Sequence, residues 1–142
     1  MPLYRCVTPE GALTHEQRAE VAKAFTDVHC GLSGAPRKFV QVMFLERNGG
    51  SEITDSHGNG MMAYGTPYFI AGGNRGGRSP ELKARILDAL LETFCKITSV
   101  SSLEVSGRIS EAPASWTMEG GKVLPEPGQE SEEWYGQVAA SG

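Results

Sequence analysis

FVQVMFL, Phe39–Leu45, is apolar at every position but Gln41 and is rich in branched and aromatic side chains. A short run of this kind reads as a strand buried on both faces, the pattern of parallel pairings joined by crossover helices. A helix signal stands on its N-terminal side. Thr14-x-x-Gln17 is a capping box, and Val21, Phe25, Val28 and Leu32 follow on one helical face. Gly31, Gly34 and Pro36 end that helix. Ahead of it, Pro2–Val7 is β-prone and is punctuated by Thr8-Pro9-Glu10-Gly11. The first unit is therefore β-α-β.

A second unit follows on the other side. Residues 48–60 are polar and Gly-rich and read as a loop. Met61–Tyr64 and Tyr68–Ala71 are short strand candidates around Gly65-Thr66-Pro67, and Gly72–Arg78, GGNRGGR, reads as a tight loop. Ser79-Pro80-Glu81 opens a second helix with an N-cap, a proline in the first turn and an early acid. Its apolar face is Leu82, Ile86, Ala89, Leu90, Phe94 and Ile97. Leu103–Ile109 alternates, with Leu103, Val105, Gly107 and Ile109 on one face and Glu104, Ser106 and Arg108 on the other, as a half-buried strand does. The rest carries Pro113, Pro125 and Pro127, with Trp134 and Tyr135 as an anchor.

These elements predict a single α+β domain over residues 1–142. Two β-α-β halves form one four-stranded sheet with two helices on one face, and residues 120–142 wrap the surface. Right-handed crossovers join the parallel pairs. The other sheet face stays open although the middle strand is apolar on both sides, so the chain is expected to oligomerise.

Composition bounds the function. The 142 residues are 39% apolar and 21% charged, which suits one folded domain and excludes long disorder. A net charge of −4 weighs against a nucleic-acid surface. No apolar run approaches the length of a membrane span, and MPLYRCVTPEG has no signal-peptide core, so a cytoplasmic location is expected. Cys6, Cys30 and Cys95 make no CxxC pair, and His15, His29 and His57 have no metal-ligand spacing. No metal or other cofactor is expected.

Two features carry chemistry on their own. Pro2 follows the initiator Met, and its secondary amine becomes an acid or base near neutral pH if Met1 is removed; otherwise it is an ordinary terminal residue. Arg75 and Arg78 sit three apart before a helix N-terminus, where guanidinium forks suit a carboxylate. The bland alternative is a pair of solvated loop arginines. His29 lies at the end of the first helix beside its apolar stripe, and Glu119 lies in the loop TMEGGK.

Together, MP-x-Y at the start, AKAFTDVHCGLSG (residues 22–34), QVMF (41–44), RGGRSPELK (75–83), EAP (111–113) and LPEPG-x-E (124–130) with the following Trp134 resemble the tautomerase superfamily, and within it the cis-3-chloroacrylic acid dehalogenase group. The resemblance implies a homotrimer of the tautomerase β-α-β fold, without cofactor, acting on a small carboxylate substrate. It makes Pro2, His29 and Glu119 the catalytic residues and Arg75 and Arg78 the carboxylate clamp. Arg108 departs from the pattern, since the group usually has a tyrosine three residues before the Glu of the E-x-P turn, here Glu111. As a third cation facing the pocket, Arg108 implies a more anionic substrate, a lower Pro2 pKa and weak dehalogenation. The implied reactions are hydration ending in dehalogenation, or keto–enol tautomerisation. The alternative is a non-catalytic trimeric binding or scaffold protein that kept the fold.

Overall fold

The computed structural model describes residues 2–47 and 66–134. The capping box forms as read: Thr14 Oγ1 accepts from Gln17 N, and Gln17 Oε1 accepts from Thr14 N. It opens α1 (His15–Ser33), which follows β1 (Leu3–Pro9) and precedes β2 (Gln41–Arg47). The second half repeats the plan with β3 (Tyr68–Arg75), α2 (Pro80–Thr98) and β4 (Val105–Ala112). Ser79 caps α2 by accepting from Leu82 N, with Pro80 at its first position. A hairpin of β5 (Met118–Glu119) and β6 (Lys122–Val123) completes the described elements.

The sheet order is β2-β1-β3-β4. The β1/β2 and β3/β4 pairs are parallel, and β1 and β3 run antiparallel at the centre, with Leu3 opposite Gly73 and Val7 opposite Phe69. Each half thus closes its own crossover, and the halves meet through their first strands. Both helices lie on one face. Val21 and Phe25 of α1 and Ile86, Leu90 and Phe94 of α2 pack with Tyr4, Cys6 and Ile70 into one core. Burying each such side chain stabilises the fold by roughly 1.5–3 kcal/mol.

Three boundaries differ from the sequence reading. Gly72–Arg75 continue β3 rather than forming a loop. Gly72 is required there, because a Cβ would stand 2.6 Å from Tyr4 Cε1. The residues Arg37–Phe39 form a 3₁₀ turn, and the strand begins at Gln41. Ser102–Glu104 likewise form a 3₁₀ turn, which leaves Leu103 exposed, and β4 extends on to Ala112. The strand read as buried on both faces is open on one in the single chain, where Met43 and Leu45 are each 43% exposed. The loop 48–60, the Met61–Tyr64 strand and the Tyr135 anchor lie outside the described residues; Trp134 stacks on Phe39 with ring centroids 5.0 Å apart. Among the described residues, no helix is long and apolar enough to cross a membrane, and no cluster of His, Cys, Asp and Glu side chains could hold a metal ion.

Candidate active site

Residues from separate elements meet around one small cleft of about 80 Å³, whose walls include Pro2, Arg75, Arg78, Glu119 and Glu130 and whose apolar lining includes Pro36, Phe39, Leu124 and Trp134. Pro2 is buried at the head of β1, fixed by its carbonyl, which accepts from Gln41 N at 3.0 Å. Arg75 ends β3 opposite Ala112, and Gly76 N donates to Ala112 O at 2.7 Å, which fixes where the arginine loop leaves the sheet.

The two arginines are held differently. Arg75 is half-buried and already occupied: Nη1 donates to Pro125 O and Nη2 to Glu130 Oε1, each at 2.6 Å. Arg78 donates from Nη1 to Arg75 O at 3.1 Å and forms no ion pair among the described residues. Burial, and then the neighbouring Arg75 charge, lower the pKa of Arg78 from its ordinary value. A guanidinium stays protonated regardless, so Arg78 is a cation in want of an anion.

Glu119 is carried by the β5–β6 hairpin. Its turn, Gly120-Gly121, has φ of 57° and 80°, the two left-handed positions of a tight hairpin turn that glycine adopts without strain. Leu124 N donates to Thr117 O at 3.0 Å and ties the hairpin base to the cleft. Glu119 Oε2 is buried with no hydrogen-bond partner. Burial raises its pKa, so the carboxylate is a stronger base than a solvated one.

His29 does not line the cleft. It is fully buried at the end of α1, one turn after Phe25, and Tyr4 Oη lies 2.6 Å from its Nδ1. Burial pushes the Tyr4 hydroxyl up to about 12. Burial, then the Arg78 charge, pulls His29 down to about 4. The pair at neutral pH is therefore a protonated phenol and a neutral imidazole. The two share a hydrogen bond at Nδ1, and Nε2, on the other side of the ring, is a buried atom with no partner. Near the same hydroxyl, Asn74 is buried with neither amide atom hydrogen-bonded.

The expectation that Arg108 faces this pocket is corrected. Gly107 on β4 packs toward Leu87 and Leu91 of α2. Its neighbour Arg108 points the opposite way, exposed on the open sheet face, with its guanidinium 5.8 Å above the Phe69 ring. It lines no part of the cleft in its own chain. The alternation of Leu103–Ile109 already held the signal for this, since it put Arg108 opposite the apolar face. Sequence reasoning missed Tyr4 and Glu130. Both sit inside the motifs MP-x-Y and LPEPG-x-E, but their partners, His29 and Arg75, are 25 and 55 residues away.

Comparison with known proteins bears on what this arrangement is. Residues 1–138 match the profile of the family Tautomerase_3, described as "Putative oxalocrotonate tautomerase enzyme". The chain belongs to the tautomerase superfamily. Among solved structures, this chain is similar to the protein N1, described as a member of the cis-3-chloroacrylic acid dehalogenase family. The two are 30% identical with a TM-score of 0.79, covering 98% of this chain and 94% of the other. It is similar to the protein Ps01740 at 31% identity and a TM-score of 0.70, over 82% of this chain and 99% of the other. A fused 4-OT described as an asymmetric trimer shares the fold at 19% identity, with a TM-score of 0.69 over 85% of this chain and 94% of the other. A search of curated proteins finds no match.

Proposed function

We propose that this tautomerase is a cofactor-independent cytoplasmic enzyme that uses the amine of Pro2, freed by removal of Met1, on a small unsaturated or enol carboxylate. The observation that carries the reading is that Pro2, Arg75, Arg78 and Glu119, drawn from three places in the chain, wall one cleft. Arg78, backed by Arg75, binds the carboxylate and draws electron density from the β-carbon. Glu119 takes a proton from water as the water oxygen bonds to that carbon. The C=C pair moves to the α-carbon, which takes the proton of a protonated Pro2. His29 is fully buried and lines no part of the cleft, so it acts as a positioning residue, its bond with Tyr4 holding the start of β1 and with it Pro2.

With a halide on the β-carbon, the hydrated product loses hydrogen halide, and the outcome is dehalogenation. With a neutral Pro2, the same parts move a proton between carbon and oxygen of an enol, a tautomerisation. Arg108 takes no part within its own chain. In the homotrimer that the open, partly apolar sheet face suits, Arg108 serves the cleft of a neighbouring subunit as a substrate-binding residue, and dehalogenation is weak because no tyrosine stands there. Hydration of cis-3-chloroacrylate and ketonisation of phenylenolpyruvate, assayed for the wild type and Pro2→Gly, test the reading. Equal rates for both proteins contradict it.

A further inference from the structure

The strap after β6 delivers a carboxylate to the arginine pair. Glu126–Gln129 is a β-turn closed by Gln129 N donating to Glu126 O at 2.9 Å, with Pro127 and Gly128, φ 85°, at its corners. This is the Pro-Gly chemistry of a type II turn. Pro127 packs on Gly77, between the two arginines, where a Cβ would stand 3.0 Å from Pro127 Cγ. The turn then aims Gly128 N at Glu130 Oε2, 2.7 Å away, while Glu130 Oε1 accepts from Arg75. The Arg75 and Glu130 side chains are 13% and 10% exposed. Burial works against the Glu130 charge, but backbone N–H groups and Arg75 outweigh it and hold the carboxyl below its ordinary value.

Building on the proposed function, we infer that Glu130 is the specificity-determining residue of the cleft: a resident counter-ion that occupies Arg75, leaves Arg78 as the cation that receives substrate, and so selects acids with one carboxylate over acids with two. The charges around the cleft state the reason. With Pro2 protonated and Glu119 ionised, the cations are Pro2, Arg75 and Arg78 and the anions are Glu119 and Glu130. The walls are left with one positive charge, which one carboxylate neutralises. Without Glu130 they carry two, and a dianion fits. A second carboxylate entering beside Arg75 must displace or crowd Glu130, and like charges in a partly desolvated site repel.

Calorimetric titration of the Met1-free protein with acrylate and with maleate tests this without turnover. The wild type is expected to bind acrylate more tightly than maleate. Glu130→Gln keeps an acceptor for Arg75 and removes the charge. It is expected to shift the preference toward maleate by ~10-fold or more, the scale of one charge-assisted bond, and Glu130→Asp should restore the wild-type order. Tighter maleate binding by the wild type overturns the inference without any variant. So does a preference that Glu130→Gln leaves unchanged. A protein that binds neither acid overturns both this inference and the carboxylate clamp. One that binds with these preferences but turns nothing over contradicts only the catalytic reading.

Discussion

Tyr4 Oη and His29 Nδ1 share a hydrogen bond of 2.6 Å inside the core. The consequence is measurable in acid. His29 titrates near 4 in the fold, against 6.5 for a solvated histidine. Below pH 6.5 the unfolded chain takes up a proton that the folded chain refuses. Stability is therefore expected to fall as pH drops from about 6.5 to about 4, by roughly 2–4 kcal/mol from this group. Denaturant unfolding of the wild type and His29→Gln at several pH values checks it. The variant should lose that part of the acid slope, and identical slopes would show that His29 titrates normally in the fold.

Removing the Tyr4 hydroxyl should cost both stability and activity. Tyr4→Phe leaves Nδ1 buried without a partner, at a cost of roughly 1–3 kcal/mol. Gly72→Ala should disturb the same bond from the opposite side, because its Cβ would enter the Tyr4 ring space. Both variants are expected to lower kcat more than they raise KM. A Gly72→Ala protein with wild-type kcat would separate the Tyr4 position from the chemistry.

The arginines should fail in different ways. Arg78→Ala removes the guanidinium that has no acidic partner, so KM for a carboxylate substrate should rise about 10- to 150-fold with stability little changed. Arg75→Ala also releases Pro125 O and leaves Glu130 half-buried without its cation. It should lower the melting temperature and raise KM together. Steady-state kinetics beside thermal unfolding distinguishes the two, and equal unfolding behaviour would remove Arg75 from the role of strap anchor.

On the proposed function, the role of Arg108 depends on assembly, since it lines no part of the cleft in its own chain. Sedimentation is expected to show a trimer at micromolar concentration, with the Met43 and Leu45 face covered. Arg108→Tyr should raise dehalogenation and lower tautomerisation in the trimer. A clean monomer, or no response in either activity, would leave Arg108 as a surface residue stacked on Phe69.

Much of this was readable from local pattern. The helices announce themselves through Thr14-x-x-Gln17, Ser79-Pro80 and a 3.6-residue apolar period, since caps and periodicity depend on near neighbours. The arginine loop and Pro2 stand in short motifs. What stayed hidden depends on distant partners. Gly72 looks like a loop residue until Tyr4, on the neighbouring strand, is seen to need the space. Glu130 looks like one acid among several in a polar tail, because Arg75 lies 55 residues away. Arg108 was read through its motif rather than through the alternation of its strand, which places it on the open face.

On the proposed function, a free Pro2 amine faces the arginines and Glu119 in one cleft. The most direct test is intact-mass spectrometry with peptide mapping after exposure to a short acetylenic carboxylic acid, whose carboxylate Arg78 would hold and whose electrophilic carbon the amine would attack. The expected product is a chain that lacks Met1 and carries one adduct, located on Pro2 and lost in Arg78→Ala. A chain that retains Met1, or that is labelled elsewhere with Pro2 untouched, would contradict it.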